Sequence, residues 1–318
     1  FAWILFGFIS VSSQVCIFWP WLFGSFDTSA SSDFALLYLV PFNFSLAMLC
    51  WNYYLTMMTD PGSPPIDWHP PRDGSSIEYK QSTHTLRTCR TCDTYKPPRT
   101  HHCRTCKRCI LKMDHHCPWV QNCVGYFNYG HFVRFIIWTT ISTFICALLL
   151  VLRCMEAYEN ERLGINRNGA PTQEQVVLII VDLCLDGCVL IGISLLTIYH
   201  IWCISNNTTT IESWEKDRVI TMIRQGKIID VKCPYNQGIL ANFQQVLGHN
   251  PLLWLWPQPM LGDGLRFKVR SDTAGDVHSD DDEGPSISPS FSRAAGSHLW
   301  WRPFDGTNNP RDEMVEMV

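Results

Sequence analysis

Four long stretches with almost no charge constrain this chain more than any other feature. Phe1 to Phe26 has no charged residue, Phe34 to Thr59 has none, and Phe135 to Leu152 is again uncharged. Val176 to Ser205 is apolar apart from Asp182, Asp186 and His200. A helix needs about 20 apolar residues to cross the hydrocarbon core of a bilayer, and each stretch is about that long. One such run would suit a buried core helix. Four of them, set between very polar segments, predict four transmembrane helices in an all-α membrane protein. The first run lacks a basic leader and a small-residue cleavage site. It is therefore expected to stay as a span rather than be removed as a signal peptide.

The connections set the orientation. Ser25–Asp33 has no Lys or Arg, and in Arg153–Gln175 three Arg are outnumbered by four Glu. The long connection Asp60–His131 instead carries ten Lys or Arg. Basic loops stay cytoplasmic, so both termini and this connection are expected to face the cytosol. The basic residues do not interleave with aromatics along one surface, and no nucleic acid is expected as a partner.

That compartment decides how the cysteines read. The chain has 15, and seven fall between Cys89 and Cys123. In a reducing cytosol such density points to metal binding or catalysis rather than disulfides. Cys89/Cys92 and Cys103/Cys106 are C-x2-C pairs, whose turn aims two sulfurs at one ion, and Cys106/Cys109 repeats the spacing. With Cys117, Cys123, His101, His102, His115 and His116 the segment offers eleven candidate ligands. Two closed tetrahedral zinc sites need only eight. The stretch has too few large aliphatic residues to fold by apolar burial, so bound zinc would supply its folding energy. In the surplus, Asp114-His115-His116-Cys117 holds a thiol, an imidazole to take its proton and a carboxylate to orient the imidazole. Spacing alone leaves open whether Cys117 is that nucleophile or one more metal ligand.

Asp114-His115-His116-Cys117 followed by Pro118-Trp119, then Asn122-Cys123-Val124-Gly125 and Asn128, resembles the DHHC protein S-acyltransferases, or palmitoyltransferases. Lys96-Pro97, Arg99 and His102-Cys103 agree upstream. So do Asp60-Pro61-Gly62 after the second stretch (the family's DPG motif) and Thr209-Thr210-Ile211-Glu212 after the fourth (its TTxE motif). Asn242-Phe243 through Val246 and Gly248 resembles a short C-terminal motif of many members, and the likeness runs from Phe1 to Gly264. Trp254-Leu255-Trp256-Pro257 and Gly262-Asp263-Gly264 further resemble the endoplasmic-reticulum branch, which includes fungal members.

The resemblance implies a multi-pass enzyme of the endoplasmic-reticulum membrane with both termini and its active site cytosolic. It would move a long acyl chain from palmitoyl-CoA, by way of an acyl-enzyme, to cysteines of cytosol-facing protein substrates. It also implies two structural zinc ions. One would sit on Cys89, Cys92, His102 and Cys109, the other on Cys103, Cys106, His116 and Cys123. Cys117 is then the nucleophile, His115 and Asp114 its activating pair, and His101 has no ligand role. The rival from another class is a membrane-anchored zinc module that only binds partners. Cross-braced ubiquitin-ligase modules also use eight ligands, but they have no need of a ninth cysteine flanked by Asp-His. A zinc transporter would place its ligands inside the spans.

The expected organisation is therefore residues 1–59 as spans one and two, and 60–131 as a linker with the double-zinc module. Residues 132–205 form spans three and four, 206–270 a cytosolic C-terminal region, and 271–318 a disordered tail rich in Ser, Asp and Gly. Pro61–Ser76 reads as linker. Phe127, Phe132 and Phe135 suit a membrane boundary. Asp182 and Asp186, four apart on one face of the fourth span, are expected to snorkel or to bond another helix. Asn206 and Asn207 lie in glycosylation sequons that would face the cytosol and stay unmodified.

Overall fold

The computed structural model describes residues 2–23, 30–71, 86–164, 171–215, 228–229, 235–268 and 302–303. The tail expected beyond Ser271 lies outside the described residues, apart from 302–303. Among the described residues three helices are long and apolar enough to cross a membrane: Ile4–Leu22, Tyr129–Arg162 and Gln173–Ser205. The first is assembled from α1 (Ala2–Val11), a π-helical stretch (Ser12–Phe18) and α2 (Trp19–Phe23). The other two are α4 (Tyr129–Arg162) and α5 (Gln173–Ser205). The second predicted span is a 29-residue helix, α3 (Ala30–Met58). Its length would cross a bilayer, and it is not among those three.

The helices bury two apolar clusters. Met48, Leu49 and Tyr53 of α3 meet Phe132, Phe135 and Ile136 of α4 in the one nearer the cysteine-rich segment. Phe18, Phe42, Leu149 and Leu150 form the other. The π-helical stretch, a local rewinding often found where a side chain must be re-aimed, has Ser12 and Ser13 buried. Ser12 donates to Asp182 at 2.8 and 2.9 Å from its two oxygens. Asp182 thus bonds another helix, one of the two roles expected for it. Asp186 is buried as well.

Between α3 and α4 the chain folds into three antiparallel hairpins of very short strands. They are β1–β2 (Thr88–Cys89, Thr94–Tyr95), β3–β4 (His101–Cys103, Arg108–Ile110) and β5–β6 (His115–Cys117, Asn122–Val124). Their own apolar core is small, built on Cys103, Ile110, Met113 and Cys123. The module is fastened to the membrane helices at both ends. Asn122 donates to the carbonyls of Met57 (3.1 Å) and Thr59 (3.2 Å), and Asn128 to that of Thr56 (3.2 Å). These are carbonyls at the end of α3, left without partners by the helix itself. Gly62, at φ 95°, turns the chain after α3 so that its carbonyl accepts from Leu111 N at 3.0 Å. A Cβ there would lie 2.7 Å from the Phe127 ring. The Asp60-Pro61-Gly62 motif is therefore a clamp between span and module, and not free linker.

Candidate active site

The three hairpins repeat at an interval of fourteen residues. Cys89, Cys103 and Cys117 occupy one position of the repeat, and Asp93, Lys107 and Gln121, all with positive φ near 50°, occupy the turn. The next position along holds Cys92, then Cys106, and then Val120. Each of the first two hairpins offers its C-x2-C pair to a His and Cys from the hairpin that follows. Cys89 and Cys92 thus meet His102 and Cys109, while Cys103 and Cys106 meet His116 and Cys123. In each set the donor atoms lie within 4.8 Å of one another.

The distances fit a tetrahedral zinc ion. With Zn–S near 2.3 Å and Zn–N near 2.05 Å, sulfur and nitrogen ligands should stand about 3.6 Å apart and two sulfurs about 3.8 Å. In the first set His102 Nδ1 is 3.5 Å from Cys89 Sγ and 3.3 Å from Cys92 Sγ, and the sulfurs of Cys109 and Cys92 are 3.9 Å apart. In the second, His116 Nδ1 is 3.7, 3.5 and 3.5 Å from the sulfurs of Cys103, Cys106 and Cys123. Both clusters can therefore hold a metal ion with four protein ligands and no open position. His101 belongs to neither.

Cys117 stands where the pattern stops. Its partner position is Val120, and the chain runs on into α4 instead of another hairpin, so Cys117 has no cysteine–histidine set of its own. What faces that end of the module is Asp114, His115 and a residue from the fourth apolar stretch, His200, whose ligand atoms lie within 4.8 Å of one another. Asp114 Oδ2 accepts from His115 Nδ1 at 2.7 Å, so the carboxylate fixes the ring and its tautomer. The same carboxylate accepts from Thr210 N (2.9 Å) and Thr210 Oγ1 (2.8 Å). Burial opposes the charge on Asp114, but the bond from His115 holds its carboxyl below the usual carboxylate range. Burial also works against a charged His115. The hydrogen bonds with Asp114 and Cys117 outweigh it and lift the imidazole to about 9. Cys117 is destabilised as a thiolate by burial, yet its hydrogen bond with His115 and those from the Val120 and Trp119 amides hold it below an ordinary thiol. The arrangement favours an imidazolium–thiolate pair, the reactive form of a cysteine nucleophile.

This pair sits where the module meets the apolar helices. Cys117 is buried in the cluster that contains Met48, Tyr53 and Phe135, and the Phe132 ring meets His115 edge-on with centroids 5.1 Å apart. Tyr53 donates to the Trp119 carbonyl at 2.7 Å, tying the nucleophile's turn to α3. Phe132 and Phe135 thus border the reacting group.

Thr210 reaches Asp114 because a second motif is bolted to the module. Thr209 and Glu212 form a reciprocal capping box: Glu212 N donates to Thr209 Oγ1 at 3.2 Å, and Thr209 N to Glu212 Oε2 at 2.8 Å. Arg99 grips Glu212 through Nε and Nη2, both at 2.7 Å, and donates twice more to Asn207. This pair is almost fully buried, with side chains 0% and 5% exposed. Glu212→Ala should strand the guanidinium and cost about 3–5 kcal/mol of stability, measured as a drop in thermal stability of the purified protein. Asn207, one of the two sequon residues, has its amide committed to Tyr235 O and Gln245 Oε1.

A model of the DHHC palmitoyltransferase family matches residues 82–217, which contain both ligand clusters, the Asp114–Cys117 stretch and Thr209–Glu212. Palmitoyltransferase PFA4 of Mycosarcoma maydis is 37% identical over 84% of this chain, and the chain spans 59% of that relative's length. The probable protein S-acyltransferase 13 of Arabidopsis thaliana is 34% identical over 79% of the chain and is itself covered to 83%. Palmitoyltransferase PFA4 of Yarrowia lipolytica is 32% identical over 74% of the chain and covered to 69%. Three apolar helices, two metal-ready cysteine–histidine clusters and these relatives place the chain in one family: it belongs to the DHHC palmitoyltransferases.

Proposed function

We propose that this membrane-bound protein S-palmitoyltransferase carries its acyl group on Cys117 between donor and acceptor. In the first half-reaction the Cys117 sulfur attacks the thioester carbonyl of palmitoyl-CoA. The new S–C bond forms as the bond to the CoA sulfur breaks, and the proton held by His115 passes to the departing CoA thiolate. In the second, a cysteine thiol of a protein substrate gives its proton to His115 and attacks the acyl-enzyme, releasing Cys117. Both bonds are thioesters, so the residues' task is orientation and deprotonation rather than driving an uphill step. Asp114 orients His115, and Thr210 orients Asp114. The two metals, proposed as zinc, are held by Cys89, Cys92, His102 and Cys109 and by Cys103, Cys106, His116 and Cys123. Their part is structural, and the site that includes His116 holds Cys117 in place.

A site at the end of the membrane helices suits both reactants. Each buried methylene contributes about 0.8 kcal/mol to partitioning, so the acyl chain of the donor belongs in the bilayer while a substrate thiol arrives from water. We read the chain as four spans, with α3 the second, and with both termini and the metal module cytosolic. The endoplasmic reticulum is the proposed membrane, on the resemblance around Trp254–Pro257 and Gly262–Gly264. The observation that carries the mechanism is the juxtaposition of Asp114, His115 and a cysteine left outside both ligand sets. Purified protein incubated with palmitoyl-CoA should form a hydroxylamine-sensitive adduct that Cys117→Ser lacks. A parent protein that never acquires the adduct while holding both metals would overturn the reading.

A further inference from the structure

Beyond α5 the chain returns to the membrane helices. Helix α6 (Ile239–Leu247) is followed by a 3-10 turn (Pro251–Leu253) and an irregular stretch to about Pro259. Val246 and Leu247 of α6 join the cluster that holds Cys117. Gly130, at the start of α4, lets them come close, because a Cβ there would stand 2.7 Å from the Val246 carbonyl. The irregular stretch then runs down the side of α4. Trp138 Nε1 donates to the Leu255 carbonyl at 2.9 Å, three residues into the uncharged run that begins at Phe135.

Two properties of this stretch belong together. The first is that its apolar side chains point away from the protein: Leu252 is 92% exposed and Trp256 56%, with Leu253 and Leu255 exposed beside them. The second is that its backbone carbonyls are met by donors from side chains. Arg134, fully buried in α4, donates to Leu247 O (2.9 Å), Trp254 O (2.8 Å) and Gln258 O (3.4 Å). Trp254 Nε1 serves Gly248 O at 2.8 Å, and Gln258 Nε2 serves Leu253 O at 2.6 Å. A loop in water needs no such provision, since water satisfies its carbonyls. Irregular backbone next to lipid must have internal partners, and outward Leu and Trp are the side chains of the interfacial layer.

We infer that residues 250–257 form a wedge inserted into the cytosol-facing boundary layer of the bilayer, with Arg134 as the side chain that makes its backbone tolerable there. The surface adjoins the exposed Trp51 of α3, which with Leu55 and His131 of α4 lines a cavity shared with Trp256 and Pro257. The occupant is therefore phospholipid at the level of the glycerol and upper acyl carbons. Because α6 shares the cluster around Cys117, the wedge anchors the C-terminal region to the membrane beside the active site.

The test places a benzophenone amino acid at Leu252, at Trp256 and at Asp263 of the full chain. The proteins are reconstituted in phosphatidylcholine–phosphatidylethanolamine vesicles, and those that retain autoacylation are irradiated. Phospholipid adducts at 252 and 256 should exceed those at 263 by at least tenfold. Equal and low lipid labelling at all three positions overturns the inference. So does crosslinking of 252 and 256 to protein instead of lipid, which would mark the surface as a protein interface.

Discussion

Cys109→Ser is expected to remove one metal and to unfold the module around it. The first ligand set would fall to Cys89, Cys92 and His102. Little else holds this region together. Its strands are two or three residues long, and a lone two-stranded hairpin is marginal in water. Its own apolar core contains four buried residues, two of which are cysteines of the second ligand set. Structural zinc contributes about 10–16 kcal/mol to the folding of small cysteine–histidine modules, far more than such a core can replace. Elemental analysis of the purified variant should find one zinc per chain or fewer, and limited proteolysis should cut between Thr88 and Cys109. The membrane helices, which bury their own clusters, should survive. A variant that keeps two zinc ions and resists protease would show that Cys109 is not a ligand.

Asp114→Asn is expected to leave both metals bound and to slow acyl-enzyme formation by about 10²–10⁴-fold. The carboxylate accepts from His115 Nδ1 and from Thr210 through both the amide and the hydroxyl. An amide in its place keeps the shape but presents an NH2 to one of those donors. The imidazole then turns or changes tautomer, and Cys117 loses the partner that draws off its proton. Single-turnover CoA release, followed with zinc content in the same preparation, separates this from collapse of the fold. A rate within about threefold of the parent would remove Asp114 from the activating pair.

What the sequence disclosed and what it concealed divide along physical lines. The two cysteine–histidine clusters were legible because a C-x2-C turn, which aims two sulfurs at one ion, is complete within four residues. The fourteen-residue repeat was equally present in the sequence, and Val120 in the place of a second cysteine was the signal that Cys117 stands outside both cysteine–histidine clusters. It is overlooked when cysteines are counted rather than aligned. Thr210 and His200 are different. Their roles depend on α5 and the following turn being brought against the module by Arg99 and Glu212, 113 residues apart, so that Thr210 meets Asp114 across 96 residues, contacts that no local pattern encodes. The Asp60-Pro61-Gly62 segment likewise looks like linker from its composition, and becomes a clamp only once Leu111 and Phe127 are placed on it.

The central claim is that Cys117 is the one cysteine of the module free to carry an acyl group. Native mass spectrometry of the intact protein after brief exposure to palmitoyl-CoA tests it in a single spectrum. One palmitoyl group together with two zinc ions is expected on the parent, and two zinc ions with no palmitoyl group on Cys117→Ser. Loss of a zinc ion from Cys117→Ser, or a palmitoyl group that persists on it, would contradict the account.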